Sequence, residues 1–284
     1  MGEKNLTLLC FAALQEEAKL SPNSAASHYN LGSTLQERGK TKEAIVCYLS
    51  ALAIDSTYSE AHYNLGSAYQ AGNDLEGALR CYKTCVKLVP GHAQAWYNMG
   101  YVQQDIGDVK GSIKSFKQAI KWDPLDVDSH LNLGNLYRGN GELEKAITCY
   151  RKAIEVESNS IMGHYNLGSA YQEMGLGEKC LGPLGRAVEL DPEYGDAHFN
   201  LGISFQDLGR YEDALACYRN AYKLDPTFVE AKQAMRGVEK VVKRGKKGKG
   251  EGVTEGEKEN FATYNGVSVG GKKAGREFGS VIRG

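Results

Sequence analysis

The chain has 284 residues, 42% of them hydrophobic and 24% charged, and a formal net charge of −1. Apolar residues are plentiful and charge is ordinary, so most of the chain is expected to fold. No apolar run reaches 18 residues, which excludes a membrane-spanning helix, and seven cysteines without a secretion signal point to a reducing compartment.

Residues 1–24 carry one apolar stretch, Leu6 to Leu14. An acidic residue precedes it and no small-residue cleavage motif comes after it, so it does not read as a signal peptide. Gly2 does not read as a myristoylation site, because Leu6 stands where Ser or Thr is wanted. The segment is expected to be a lone helix packing on the chain that begins at residue 25.

From residue 25 the chain repeats itself. Asn30, Asn64, Asn98, Asn132, Asn166 and Asn200 recur at a fixed interval of 34, and residues 25–58, 59–92, 93–126, 127–160, 161–194 and 195–228 align without gaps. A fixed period of this size signals stacked copies of one small unit. After each Asn come Leu or Met and then Gly: Gly32, Gly66, Gly100, Gly134, Gly168 and Gly202. Further on, a small residue precedes a large one by four (Ala44 and Tyr48 in the first copy), and Ala or Cys stands three places later. Spacings of three and four put residues on one helical face, so each unit reads as two helices. The turn between them carries Gly39, Asn73, Gly107, Gly141, Gly175 or Gly209, residues that tolerate a left-handed helix end. The second helix stops near Pro90, Pro124, Pro192 and Pro226. Glycine inside a helix costs about 1 kcal/mol against Ala, so six such residues imply helices that approach too closely there for a side chain.

This series of aromatic, Leu, Gly, Tyr, Ala and Pro, as in His62 to Gln70 ("HYNLGSAYQ"), resembles the tetratricopeptide repeat family. The resemblance implies an all-α fold, a right-handed α-solenoid of stacked antiparallel helix pairs. The Asn before the Leu is narrower, and is similar to the asparagine-lined array of O-GlcNAc transferases. That similarity implies a ladder, Asn30, Asn64, Asn98, Asn132, Asn166 and Asn200, holding extended peptide by its backbone.

Two further rows invite a metal reading. His28, His62, His130, His164 and His198 stand two places before each Asn, with Trp96 in the third copy. Metal bonds are about 2 Å long, while neighbouring copies stand on the order of 10 Å apart at helix-packing distances, so the histidines read as packing groups. Cys47, Cys81, Cys149 and Cys217 read as small apolar packing residues. No metal and no cofactor is expected.

The stripe shared with the Asn ladder holds Glu37, Glu60, Asp105, Asp128, Glu173, Asp196 and Asp207 and no Lys or Arg. Tyr29, Tyr63, Tyr97 and Tyr165 run beside it, as do Gln36, Gln70, Gln104, Gln172 and Gln206, with Arg138 the one basic residue in the Gln row. A solvated face does not require the same amide six times. An amide both donates and accepts, so it can pair with a peptide bond whatever its side chains. The candidate peptide-binding residues are therefore the six asparagines with Asp128, Asp196, Asp207 and Tyr97, and the expected ligands are extended and basic or polar. The scarcity of basic residues sets aside clamping of acidic chaperone tails.

In the fifth unit, Pro183 with Gly182 and Gly185 falls inside the second helix, predicting a kink or late start. Residues 229–242 resemble a capping helix, with Ala234 where a seventh Asn would fall. From Lys240 to Gly284 there are 11 basic and 5 acidic residues, and 243–284 is expected to be a disordered, Gly- and Lys-rich tail. Its run Lys243 to Lys249 reads first as part of a solubilising tail, with a nuclear address or a nucleic-acid contact as alternatives, and the tail itself is a candidate weak ligand for the acidic groove.

No catalytic constellation is visible. The reading is a non-catalytic scaffold or adaptor, cytoplasmic with a nuclear alternative, gripping extended segments of partner proteins. Nucleic acid is given little weight, through the basic tail alone. The alternative is the peptide-binding part of a glycosyltransferase whose catalytic part lies elsewhere.

Overall fold

The computed structural model describes residues 12–247. The signal and myristoylation readings, and the tail beyond Lys247, lie outside them. The fold is an all-α solenoid, and among the described residues there are helices and turns but no strand. α1 occupies residues 12–20. The first helices of the pairs are α2 (Ala25–Glu37), α4 (Ser59–Ala71), α6 (Ala93–Asp105), α8 (Val127–Gly139), α10 (Ile161–Glu173) and α12 (Gly195–Asp207). The second helices are α3 (Thr41–Ile54), α5 (Leu75–Leu88), α7 (Val109–Trp122), α9 (Leu143–Val156), α11 (Gly177–Leu190) and α13 (Tyr211–Leu224), and α14 (Val229–Lys247) comes last.

The turn chemistry is as expected. Gly39, Gly107, Gly141, Gly175 and Gly209 have φ between 71° and 82°, and Asn73 has φ 62°. After the turn, Asp74 and Asp108 cap α5 and α7 by accepting from Gly77 N and Gly111 N. Each second helix ends where an extended residue leads towards the loop, as at Val89 before Pro90.

The chain divides at Leu133/Gly134 into two compact units. In the first, Leu35, Ala44, Tyr48, Leu65, Ala68 and Cys81 form one cluster and Ala78, Tyr82, Cys85, Val86, Ala95, Met99 and Val102 another. In the second, Ala187, Tyr194 and Ala197 pack together, and Ala214, Leu215, Tyr218 and Val238 seal α13 against α14. Tyr48, Tyr82, Tyr150 and Tyr218 are almost wholly buried; burying a large apolar side chain stabilises by about 1.5–3 kcal/mol. The glycine row makes room for them. A Cβ on Gly66 would meet Tyr82 Cε1 at 2.8 Å, and one on Gly168 would meet Leu184 Cγ at 2.5 Å.

Two expectations need adjustment. α11 begins at Gly177, in register with the other second helices, so Pro183 does not delay it. Cys180, Leu184 and Ala187, all fully buried, carry the helix through the proline. α14 runs to Lys247 rather than ending at 242, because Lys and Arg are good helix formers and favoured near a helix C-terminus.

Candidate functional site

In each unit the first helices place the repeated amides along one face, and the structure adds what orients them. In the first unit Asn64 Nδ2 donates to Tyr29 Oη at 3.1 Å, Asn98 to Tyr63 at 3.3 Å, and Asn132 to Tyr97 at 3.3 Å. In the second, Asn200 Nδ2 donates to Tyr165 Oη at 3.1 Å and to Ser169 Oγ at 3.2 Å. Each bond ties an asparagine to the first helix of the pair before it. Asn30 is exposed. Asn166 is buried, and the residue 35 before it is Leu131, which carries no hydroxyl.

A second set of hydroxyls orients the glutamines. Tyr48 Oη donates to Gln36 Oε1 at 2.9 Å, Tyr82 to Gln70 at 2.9 Å, and Tyr218 to Gln206 at 3.0 Å. Where the Gln row breaks, the bond moves: Tyr150 Oη donates to Asn135 Oδ1 at 2.8 Å, because Arg138 has replaced the glutamine. Phe116 and Leu184 have no hydroxyl to offer Gln104 and Gln172.

The two amide rows are thus turned oppositely. An asparagine whose Nδ2 is engaged presents Oδ1, an acceptor; a glutamine whose Oε1 is engaged presents Nε2, a donor. Some outward groups are already met: Gln94 Nε2 donates to Asn98 Oδ1, and Gln36 Nε2 to Ser67 Oγ. The half-buried Tyr29, Tyr63 and Tyr97 keep a hydroxyl proton beside the asparagine. Burial raises the phenol pKa of all three, Tyr97 to about 12 with nearby Asp128 and Asp126 contributing, so they remain donors at neutral pH.

The carboxylates are less uniform than their spacing implies. Arg138 Nε lies 3.2 Å from Glu173 Oε1 on the second unit's face, neutralising that acid. Asp128 is partly buried in the first unit, and Asp196 and Asp207 lie in the second. Asp207 is solvent-accessible, yet desolvation by the surrounding protein raises its carboxyl pKa.

The histidines are engaged in the turns. The Nε2 atoms of His28, His62, His130, His164 and His198 lie 3.0–3.1 Å from the backbone oxygens of Pro22, Ser56, Pro124, Ser158 and Pro192. Trp96 Nε1 makes the same bond to Pro90 O at 2.8 Å. The row packs and ties off the preceding turn. Cys81, Cys149 and Cys217 are buried, and desolvation pushes the Cys81 and Cys217 thiols up to about 11, away from nucleophilic reactivity.

Sequence reasoning found both amide rows and the tyrosines beside them, but not the bonds that polarise them. A signal was present: wherever a core Tyr comes 12 residues after a Gln, as Tyr48 does after Gln36, the two are bonded.

Family models described as TPR repeat match residues 32–72 and 134–175. Others described as tetratricopeptide repeat match 59–92, 93–124, 115–148 and 195–228. No curated protein matches the chain. Among solved structures, the C-terminal part of a TPR repeat-containing protein from Cytophaga hutchinsonii is similar over 82% of this chain and 96% of its own, with TM-score 0.68 at 16% identity. YrrB, described as a TPR protein with an unusual peptide-binding site, is similar over 66% of this chain and 97% of its own, with TM-score 0.60 at 22% identity. The Cut9–Hcn1 hetero-tetramer of APC/C is similar over 84% of this chain and 46% of its own, with TM-score 0.58 at 16% identity.

Proposed function

The chain belongs to the tetratricopeptide repeat family, and on that premise we propose that it is a non-catalytic interaction scaffold whose ladder faces read the backbone of extended partner segments. Tetratricopeptide repeat proteins are protein-interaction scaffolds, and the finer reading rests on the oriented amides. The observation that carries it is the recurring Asn Nδ2 to Tyr Oη bond. With its donor engaged, each asparagine accepts a peptide N–H through Oδ1, and the adjacent phenol donates to a peptide C=O. No ligand side chain is needed for either bond. Asp128, Asp196 and Asp207 bias the choice towards basic or polar segments. Each peptide bond recognised contributes about 0.5–1.5 kcal/mol, roughly 2- to 13-fold in affinity. Association costs are of similar size to the whole ladder's contribution, so binding is weak to moderate and governed by how many rungs are filled.

The test uses extended twelve-residue Lys/Ser peptides and their analogues with single backbone amides replaced by esters. An ester removes one N–H and leaves the side chains alone. Analogues should bind the wild type roughly 2- to 13-fold more weakly per replaced amide, and the loss should shrink in N64A/N98A/N132A. Ester analogues that bind as tightly as the parent peptides at every position would refute backbone reading. Unchanged affinity of these peptides for D128K, D196K and D207K would remove the charge preference while leaving backbone reading intact.

A further inference from the structure

The last helix carries a feature that the ladder faces do not use. Advancing about 100° per residue, Lys232, Arg236, Lys240, Lys243 and Arg244 fall within one sector about 120° wide. Ala231, Ala234, Met235, Val238 and Val242 fall on the opposite side, which is the side packed on α13. The charged sector faces solvent, with Arg236, Lys240, Lys243 and Arg244 all exposed. Lys232 Nζ sits over the Tyr222 ring, 5.4 Å from its centroid. The acidic Glu239 lies beside the stripe and is held by Arg219 Nη2 at 2.6 Å. That hydrogen bond is the main cause lowering its carboxyl pKa, with Lys243 and Arg236 contributing. Over its 19 residues α14 holds seven basic and two acidic side chains. The stripe is lengthened because the helix continues past 242, which adds Lys243 and Arg244 to the helical row.

We propose that this exposed stripe on α14 is a docking surface for the phosphate backbone of nucleic acid, bound without base readout. Arg236 to Arg244 spans eight residues, about 12 Å of helix axis, a straight run of cations suited to a linear polyanion. Charge complementarity selects the class of partner and the rest of the helix narrows it. Insertion into a lipid surface needs a free apolar face, and that of α14 is packed on α13. Docking of an acidic protein segment needs apolar anchors at the centre of the interface; between Lys232 and Arg244 this sector offers the exposed Gln233 and the partly buried Gly237, and its exposed apolar residue, Val229, lies at the end of the row before its first cation. A polyphosphate backbone needs charge alone.

The test measures binding of the full chain to a labelled 20-base-pair duplex of mixed sequence across a salt series. Neutralising four phosphates contributes about −3.6 to the slope of log K against log salt. The variant R236Q/K240Q/K243Q/R244Q leaves the apolar side of α14 intact, and its fold is checked by circular dichroism. It should bind at least tenfold more weakly at low salt, with a slope shallower by about 3 to 4. A second variant, K246Q/K249Q, should retain most binding. The proposal is overturned if the wild type does not bind the duplex at low salt, if the stripe variant binds like the wild type, or if only the second variant loses binding. It is equally overturned if poly-glutamate or anionic vesicles bind the stripe as tightly as the duplex at matched ionic strength.

Discussion

Gly168→Ala and Gly185→Ala place the same methyl group in two helices of one unit and should shift stability in opposite directions. At Gly168 the new Cβ would meet Leu184 Cγ at 2.5 Å, Leu184 Cδ2 at 2.9 Å and the Leu184 backbone nitrogen at 3.3 Å. Carbon atoms prefer about 3.5–4.0 Å, so the neighbour must retreat by roughly 1 Å. Leu184 is fully buried and its backbone shares the contact, so the side chain alone cannot absorb the change. Overpacking of this kind costs about 1–3 kcal/mol, against a gain of about 1 kcal/mol from alanine's helix propensity. The upper half of the range applies because backbone is involved, leaving a net loss of about 1–2 kcal/mol. At Gly185 nothing lies within 4 Å of the added Cβ, so only the propensity gain of about 0.5–1 kcal/mol remains. Thermal melts should show G168A lower than wild type by about 2–8 °C and G185A higher by about 1–4 °C. Midpoints are the right readout, since repeat arrays need not unfold in one step. A G168A protein as stable as wild type would refute the argument that the glycine row exists for close helix approach.

The ladder supplies two further expected outcomes. Y29F/Y63F/Y97F removes three hydroxyls that accept from asparagines at 3.1–3.3 Å. The melting temperature should fall by about 3–12 °C, because each partly exposed hydrogen bond nets about 0.5–1 kcal/mol, while sensitivity of peptide binding to ester replacement should largely disappear; retained sensitivity would show that the phenols do not set the amides. Asp207 gives a pH signature. Its folded-state pKa is raised from 3.8 by desolvation, so the carboxylate costs stability above the raised value and the cost is relieved as pH falls through it. D207N should therefore melt higher than wild type at pH 7, with the difference closing as pH falls towards 3.8; a D207N protein less stable than wild type at pH 7, or a difference independent of pH, contradicts this.

The backbone was largely legible from the residues. Glycine or asparagine every 34 positions marked turns that take φ from 62° to 82°, because left-handed backbone leaves few choices of residue. The close approach at Gly66 was legible for a similar reason, since no propensity explains glycine in a helix. The polarity of the ladder was not. Whether Asn64 reaches Tyr29 or solvent depends on the stagger between neighbouring helix pairs, which a period does not encode. Arg138 stood out as the one basic residue of its row, but its pairing with Glu173 needed the geometry of two adjacent helices. The end of α14 was missed because the Gly- and Lys-rich composition beyond 242 was read as a tail, while packing of Val238 and Val242 carried the helix onward.

The bond from each asparagine to the tyrosine before it has a consequence for motion. The same amides that would contact a ligand also stitch one helix pair to the next, so occupancy and stacking are thermodynamically linked. A segment lying along the face would bridge neighbouring pairs and oppose their separation, and amide hydrogen exchange of α4, α6 and α8 would slow even at residues the ligand never touches. Each of these short helices is marginal alone, and a bound strand would make them open together, converting a set of locally fraying pairs into a stiffer body whose resistance to opening grows with the number of rungs filled.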